Sequence, residues 1–364
     1  MQMNQDHSRA PDPILAAHKH NLGLLWKGFG KTFLFPKRKV SPILVFLFPL
    51  VSLYSSADDA STGIAGELVV FHAGSLSVPF AEIAEAFADE HPGVKVLREA
   101  AGSRACARKI VDLERPCDVF ASADYSVIDE LLIPDHADWN IKFASNEMAV
   151  AYTERSHRAE DFAAHNWHEI LLEPDVAYGR SNPDADPCGY RTVLTLKLAE
   201  RHHGVQGLAE HVLAKDTRFI RPKETDLLAL LETGAVDYIF IYRSVAQQHR
   251  LKYLLLPDEV NLKKSDLADH YGTVTVQVSG KEPGTFITKT GAPMVYGVTI
   301  PKNGRNPAAA TAFVAFLLDK NKGMAIMEKH GQPSLIPSPS DTFEKIPTPL
   351  RRFAREPATY ENSP

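Results

Sequence analysis

The chain has 364 residues, 44% hydrophobic and 23% charged, an ordinary globular balance with length for two to three domains. This composition excludes collagen-like, coiled-coil and disordered chains, and three cysteines exclude a small disulfide scaffold. Residues 1–57 hold seven Lys/Arg and two acids, so with a net charge of −5 for the whole chain the remainder carries −10. An acidic body argues against nucleic acid as a partner, and an anion site on it must work through local donors.

At the head of the chain Lys37-Arg38-Lys39 precedes an apolar run of 15 residues, Val40–Tyr54, and then Ser55-Ser56-Ala57. A basic cluster, a short apolar stretch and small residues at the −3 and −1 places of a cut after Ala57 form an export-signal pattern. The run is shorter than the roughly 20 residues of a spanning helix and contains Pro42 and Pro49. The other reading is a single membrane anchor. No cysteine follows the run, so lipid anchoring through a thiol is not expected. Residues 1–57 thus read as an N-terminal extension plus export signal, and residues 1–36 fit a true start further downstream. The body is expected outside the cytoplasm, periplasmic or extracytoplasmic, soluble after cleavage or N-terminally anchored. Disulfides can form there, but Cys106 and Cys117 stand eleven residues apart across an expected helix, about 16 Å, and Cys188 lies far along the chain. Three unpaired, mostly buried thiols are expected.

Beyond residue 65 the pattern is β-α-β-α-β. Glu67–Phe71 reads as a buried strand, and Phe80, Ile83, Ala84 and Phe87 give a helix face behind Pro79, stopped by His91-Pro92-Gly93. Val94–Leu97 is a second strand, Ala101-Gly102-Ser103 opens a second helix, and Asp118–Ser122 is a third strand. Met148–Tyr152, Val176–Tyr178, Val236–Tyr242 and Pro293–Ile300 read as later strands. Helices are expected over Arg191–Arg201, over Thr225–Thr233 ahead of Gly234, and from Asn306-Pro307 through Leu317. Lys281–Ala292 reads as a loop or an exposed hairpin, and the chain from Pro333 as a Pro-rich loose tail. The expectation is an α/β protein of two lobes around a cleft, each a mainly parallel sheet flanked by helices. Residues 66–147 plus 293–345 form the first lobe, 148–292 the second and 346–364 a loose tail. Ligands of such sheets sit at strand carboxyl ends beside helix N-termini.

Five motifs fall at such places. Gly74-Ser75 follows a strand and precedes a helix, where backbone N–H groups favour an anion and glycine permits close approach; the serine is equally a simple helix cap. Ala101-Gly102-Ser103 repeats this arrangement, so the two turns can converge on one point. Ser181–Arg191 is a rigid polar loop in which Asp186 reads as a helix N-cap ahead of Pro187. Cys188 invites a nucleophile reading, although no base is placed for it and an inert thiol is the simpler account. Glu224 opens the Thr225 helix, where a first-turn acid suits the dipole. Tyr242 ends a strand, with a phenol free either to donate to a ligand or to sit half buried.

Taken in order, Phe71–Leu76, Glu99–Ser103, Asp118–Tyr125, Ser181–Arg191 and Val236–Ala246 resemble the tungstate/molybdate-binding proteins of ABC importers, in their archaeal-type branch. The resemblance spans about residues 66 to 340. It implies a type II periplasmic-binding-protein fold that closes on a group-6 oxyanion and hands it to an importer permease. By the same resemblance Gly74, Ser75 and Ser103 donate from the first lobe, while Asp186, the backbone of Pro187 and Cys188, Glu224 and Tyr242 act from the second. It further implies that Asp186 and Glu224 bond to tungsten or molybdenum itself, expanding a tetrahedral oxyanion towards six-coordination. The match of Glu224 rests on its distance from Tyr242 and the Leu-rich helix after it. Arg104 departs from the pattern, where a small residue is expected. No cofactor is implied, and a monomer is expected.

Elementary chemistry runs the same way. Carboxylates facing an anion repel it unless they are protonated or bonded to a cation, and hexavalent tungsten or molybdenum is a hard centre that accepts oxygen ligands. Rival readings are a site for sulfate, phosphate or ferric iron, an enzyme using Cys188 or a histidine, and an anchored sensor domain. His202-His203 beside Gly204 reads as a solvated helix end, and no zinc-ligand spacing is present.

Overall fold

The computed structural model describes residues 63–357. The export signal and the 1–57 extension fall outside the described residues. Strand β1 (Gly66–Ala73) ends in four buried residues and turns through Gly74–Leu76 into helix α1 (Ser77–Glu90). The face of α1 that packs inward is the expected one, Phe80, Ile83 and Phe87. Then come β2 (Val94–Ala101), α2 (Ser103–Val111), β3 (Val119–Ser122), β4 (Ile141–Ser145) and β5 (Met148–Tyr152). The middle of the chain supplies β6 (Tyr178–Ser181), α3 (Pro187–His203), β7 (Ile220–Arg221), α4 (Leu227–Glu232), β8 (Tyr238–Tyr242) and β9 (Lys252–Leu255). The last part holds β10 (Thr275–Ser279), β11 (Phe286–Thr290), β12 (Val295–Thr299) and α5 (Pro307–Leu318).

Two five-stranded sheets carry the lobes, in the orders β2-β1-β3-β12-β4 and β7-β6-β8-β5-β9. In each, three strands run parallel and the last two pairings are antiparallel. The mainly parallel expectation therefore holds for the βαβ part of each lobe, and the sheets as wholes are mixed. The reason is an exchange: late strand β12 inserts between β3 and β4, and early strand β5 inserts between β8 and β9. The chain thus passes between sheets at Asn146-Glu147 and returns at β12.

Helix starts follow local chemistry. Asp186 caps α3 and Asn306 caps α5, each with proline as the first helical residue. Helix α3 begins four residues before the expected Arg191, at Pro187, directly behind its Asp186 cap. Gly204 then ends it at φ 68°. His202 is solvated there, as expected, but His203 is half-buried and stacks on His168 with ring centroids 4.0 Å apart. Residues 281–292 resolve into the second half of an antiparallel hairpin, β10–β11. The hairpin rides on α3, where Lys197 and Arg201 donate to the carbonyls of Thr275 and Thr273.

The expected loose tail is a correction. Residues 346–357 are folded: Ile346, Leu350, Phe353 and Ala354 are buried, and Ser338-Pro339 pairs with Ala354-Arg355. The prolines punctuate turns between buried residues rather than preventing packing. Cys106, Cys117 and Cys188 are free and buried. Helix α2 stops at Val111, so Cys117 lies beyond it rather than across one helix.

Phe87 joins the two ends of the chain. Its ring meets Phe313 and Phe316 of α5 edge-on, with centroids 5.2 and 5.6 Å away. Phe87→Ala is expected to lower unfolding stability by about 3–5 kcal/mol, read as a shift of the denaturant midpoint. Ligand affinity of the folded protein should not change, because Phe87 stands near the end of α1 away from Gly74.

Candidate functional site

The five motifs converge. Gly74 and Ser75 form the turn between β1 and α1, and Ser103 is the first residue of α2, so both lie at carboxyl ends of adjacent strands of the first sheet. From the second lobe come Asp186, Pro187 and Cys188 at the start of α3, Glu224 in the turn before α4, and Tyr242 at the end of β8. All eight are buried. Two glycines let the lobes meet. A Cβ on Gly74 would stand 3.0 Å from both carboxylate oxygens of Glu224, and one on Gly102 would stand 2.3 Å from the carbonyl of Ala185. That carbonyl accepts from Ala105 N–H at 3.1 Å, joining α2 to the loop that carries Asp186.

Asp186 does more than cap its helix. One oxygen accepts from Cys188 N–H at 3.4 Å and the other from Glu224 N–H at 2.9 Å, so the cap of α3 also fixes the turn before α4. This brings two fully buried carboxyls together. Among the described residues no N–H or O–H group donates to either oxygen of Glu224 and neither Asp186 nor Glu224 has an ion-pair partner, so a proton on Glu224 has the Asp186 carboxylate as its acceptor. Burial raises the Glu224 pKa well above its ordinary value, and the charge of Asp186 raises it further. Burial also raises Asp186, against the bonds it accepts.

Asp124 shows the opposite treatment of a buried acid in the same molecule. Its carboxylate takes the Tyr190 hydroxyl and faces Lys289 at 3.5 Å and Arg191 at 3.8 Å. Burial alone would raise its pKa, but the two cations hold it below the usual carboxylate range.

The three hydroxyls share a pattern. Ser75 Oγ accepts from Tyr296 at 3.0 Å, Ser103 Oγ from Ala123 N–H at 2.9 Å, and Tyr242 from Arg191 at 3.0 Å. Tyr242 is fully buried, not half buried. Arg104 is buried too, and its guanidinium donates to the carbonyls of Asp184 and Ser279 and faces Glu130 at 3.9 Å. Its cation therefore ties α2 to the second lobe. Sequence reasoning missed Tyr296, Asn146, Gln332 and Lys289; Asp124 and Arg191 lay inside quoted motifs without a role.

Residues 68–332 match the model of a family described as bacterial extracellular solute-binding protein. The chain belongs to that family. A solute-binding protein of Petrotoga mobilis, itself uncharacterized, is 51% identical over 314 residues, 86% of this chain and 95% of that protein. The molybdate/tungstate-binding protein WtpA of Thermococcus kodakarensis is 40% identical over 316 residues, 79% of this chain and 88% of that one. Among solved structures, the periplasmic molybdate-binding protein of Azotobacter vinelandii superposes with a TM-score of 0.54 at 18% identity, covering 73% of this chain and 98% of that one. That likeness supports the two-lobed type II fold. The family is one of transport solute-binding proteins rather than of enzymes.

Cys188 is buried and free, in an environment that disfavours the thiolate a nucleophile needs. Burial lifts its pKa well above the ordinary value, and the neighbouring acids lift it further; burial pushes Cys106 up to about 12. All three thiols are expected to resist a disulfide reagent at pH 8 in the folded protein and to react once it is denatured. Fast labelling of native Cys188 would restore the nucleophile reading.

Proposed function

We propose that this solute-binding protein captures tungstate or molybdate outside the cytoplasm and delivers it, as a monomer, to an ABC importer permease. Lys37–Ala57, within the 1–57 extension, acts as its export signal. The oxyanion lies between the lobes, held by Ser75, Ser103, Tyr242 and the backbone at Gly74, Pro187 and Cys188, while Asp186 and Glu224 bond to the metal.

One observation carries this reading: a buried carboxylate pair with no cation, converging on the glycine turn of the opposite lobe. In their ionised form two such groups repel any anion whose centre cannot accept electrons from oxygen. Sulfur and phosphorus in sulfate and phosphate cannot expand their coordination, whereas hexavalent tungsten and molybdenum can. The carboxylates thus discriminate against common anions and favour the rare ones. The resemblance to WtpA of Thermococcus kodakarensis supports the same ligand class.

Asp186→Asn and Glu224→Gln keep size and lose an anionic ligand oxygen. Each is expected to weaken tungstate binding by about 100-fold or more, with sulfate binding negligible in the parent, as read by calorimetric titration. If the site recognised only the oxygens of the anion, the new amide donor and the lost charge would leave binding unchanged or tighter. The two mechanisms predict opposite signs.

Metal bonding also requires Glu224 without its proton. Because its folded pKa lies well above 4.5, the unliganded protein carries that proton above pH 4.5, and binding should release it. The sign for stability follows: a raised carboxyl pKa means stability present below pH 4.5 and lost as pH rises towards the folded value, by at most about 1.4 kcal/mol per pH unit. Titration in two buffers of different ionisation enthalpy, repeated at a series of pH values from 4.5 upwards, should show uptake of a proton by the buffer for the parent within the window between 4.5 and the raised folded value. In that window unliganded Glu224→Gln should lose less stability with rising pH than the unliganded parent. Equal heats in both buffers at every pH would count against ligation by Glu224.

A further inference from the structure

We infer that Tyr296 is a positioning residue, which commits the Ser75 hydroxyl to donating into the cleft. This deepens the oxyanion reading and rests on it.

Proton positions around Tyr296 are fixed by groups that have no choice. Asn146 Oδ1 accepts from the backbone N–H of Glu147 at 3.0 Å and of Ser244 at 3.4 Å. The amide nitrogen of Asn146 must then face the other way, where it donates to Ser244 Oγ at 2.7 Å and to the Tyr296 oxygen at 2.9 Å. Gln332 donates to the carbonyl of Ser75 at 3.1 Å, an atom that can only accept, so the same nitrogen is what reaches the Tyr296 oxygen at 3.4 Å. With both acceptor positions of the phenol oxygen filled by N–H groups, its single proton goes to Ser75 Oγ at 3.0 Å. The phenol keeps that proton at any working pH, since burial pushes its pKa up to about 12.

Ser75 Oγ therefore accepts from behind, and among the described residues no protein acceptor takes its own proton. A hydroxyl in that state is a dedicated donor. A free serine would divide its time between donating and accepting, and its lone pairs would face an anion with the wrong sign. The backbone supports the arrangement: the pairing of β12 with β4 shifts register between Tyr296 and Gly297, an irregularity that re-aims a side chain locally. Ser103 and Tyr242 each likewise accept from a group that can only donate, Ala123 N–H and Arg191, which leaves their own protons to be given elsewhere.

Tyr296→Phe keeps the ring and removes the donor. The test is a double-mutant cycle with Ser75→Ala, titrating the parent, both single variants and the double with tungstate, molybdate, sulfate and phosphate, alongside melting curves. The Phe variant should weaken binding of the accepted anion about 3- to 10-fold. In the Ser75→Ala background the same change should cost less than about twofold, because nothing is left to orient. A lower melting temperature shared by both backgrounds reflects only the lost packing around Asn146 and does not enter the comparison. Should Tyr296→Phe not fold, Gln332→Met frees an acceptor position on the phenol, lets Ser75 turn back towards it, and predicts the same background-dependent loss. An equal loss in both backgrounds, or no loss in the parent background, overturns the inference while leaving the oxyanion reading intact. Sulfate or phosphate as the only anion bound, with the cycle still coupled, overturns the metal reading and supports the role of Tyr296. A parent that binds none of the four anions overturns both.

Discussion

Two carboxyls that share one buried corner without a cation govern the structure. Placing Asp186 and Glu224 together costs solvation for each and repulsion between them; among the described residues no cation offsets this cost, and burial with the Asp186 charge raises the Glu224 pKa. The corner nevertheless stays in place because Asp186 is tied twice through backbone, to Cys188 at the head of α3 and to Glu224 ahead of α4. Those bonds are ordinary helix-start chemistry. Local capping thus builds a corner that electrostatics alone would disperse, and the proposed metal centre between the lobes would remove the conflict.

The contact between lobes carries the same logic outward. Ala123 of the first lobe donates its N–H to Ser103 and accepts from Arg191 at 2.7 Å, and Arg191 in turn donates to Tyr242. A serine on one lobe and a tyrosine on the other are therefore set by one continuous chain of bonds. Asp124 anchors that chain by holding Arg191 and Lys289, the second of which belongs to the β10–β11 hairpin. Lys289 also meets Glu130 at 2.8 Å, so the hairpin, though packed on α3, grips the first lobe. Each of the three hydroxyls takes its orienting bond within its own lobe, and the Arg191 bond to the Ala123 carbonyl links the two sets across the cleft.

Much of this was legible in the chain because the decisive signals are local. Gly74-Ser75, Gly102-Ser103, Asp186-Pro187 and Glu224 each stand between a strand and a helix, and the reasons for those residue types lie within a few positions of each. What was not legible depends on distant pairings. Tyr296 sits inside an apolar strand, and nothing nearby in sequence indicates that Asn146 and Gln332 will surround its oxygen. Short edge strands such as Ile220-Arg221 carry too little pattern to be read. The exchange of β5 and β12 between lobes is likewise a property of the whole topology, so antiparallel pairings were hidden. In the tail, proline content masked the buried set Ile346, Leu350 and Phe353, whose spacing matters more than its composition.

Asp124 and Glu224 together show why the missing cation is informative. Both acids are buried in the same protein, and both come within reach of the opposite lobe. Around Asp124 the fold supplies a lysine, an arginine and a phenol, and the group ionises readily. Around Glu224 it supplies none of these, although Lys223 is the adjacent residue and points instead to Asp226 at 3.4 Å. A lysine turned inward there would neutralise the corner and stabilise the unliganded protein, yet it would also fill the position of an electrophile and attract sulfate. On the proposed function, Glu224 left without a cation is what would keep the corner selective. The residue that could have quenched the site lies one position away and faces outward.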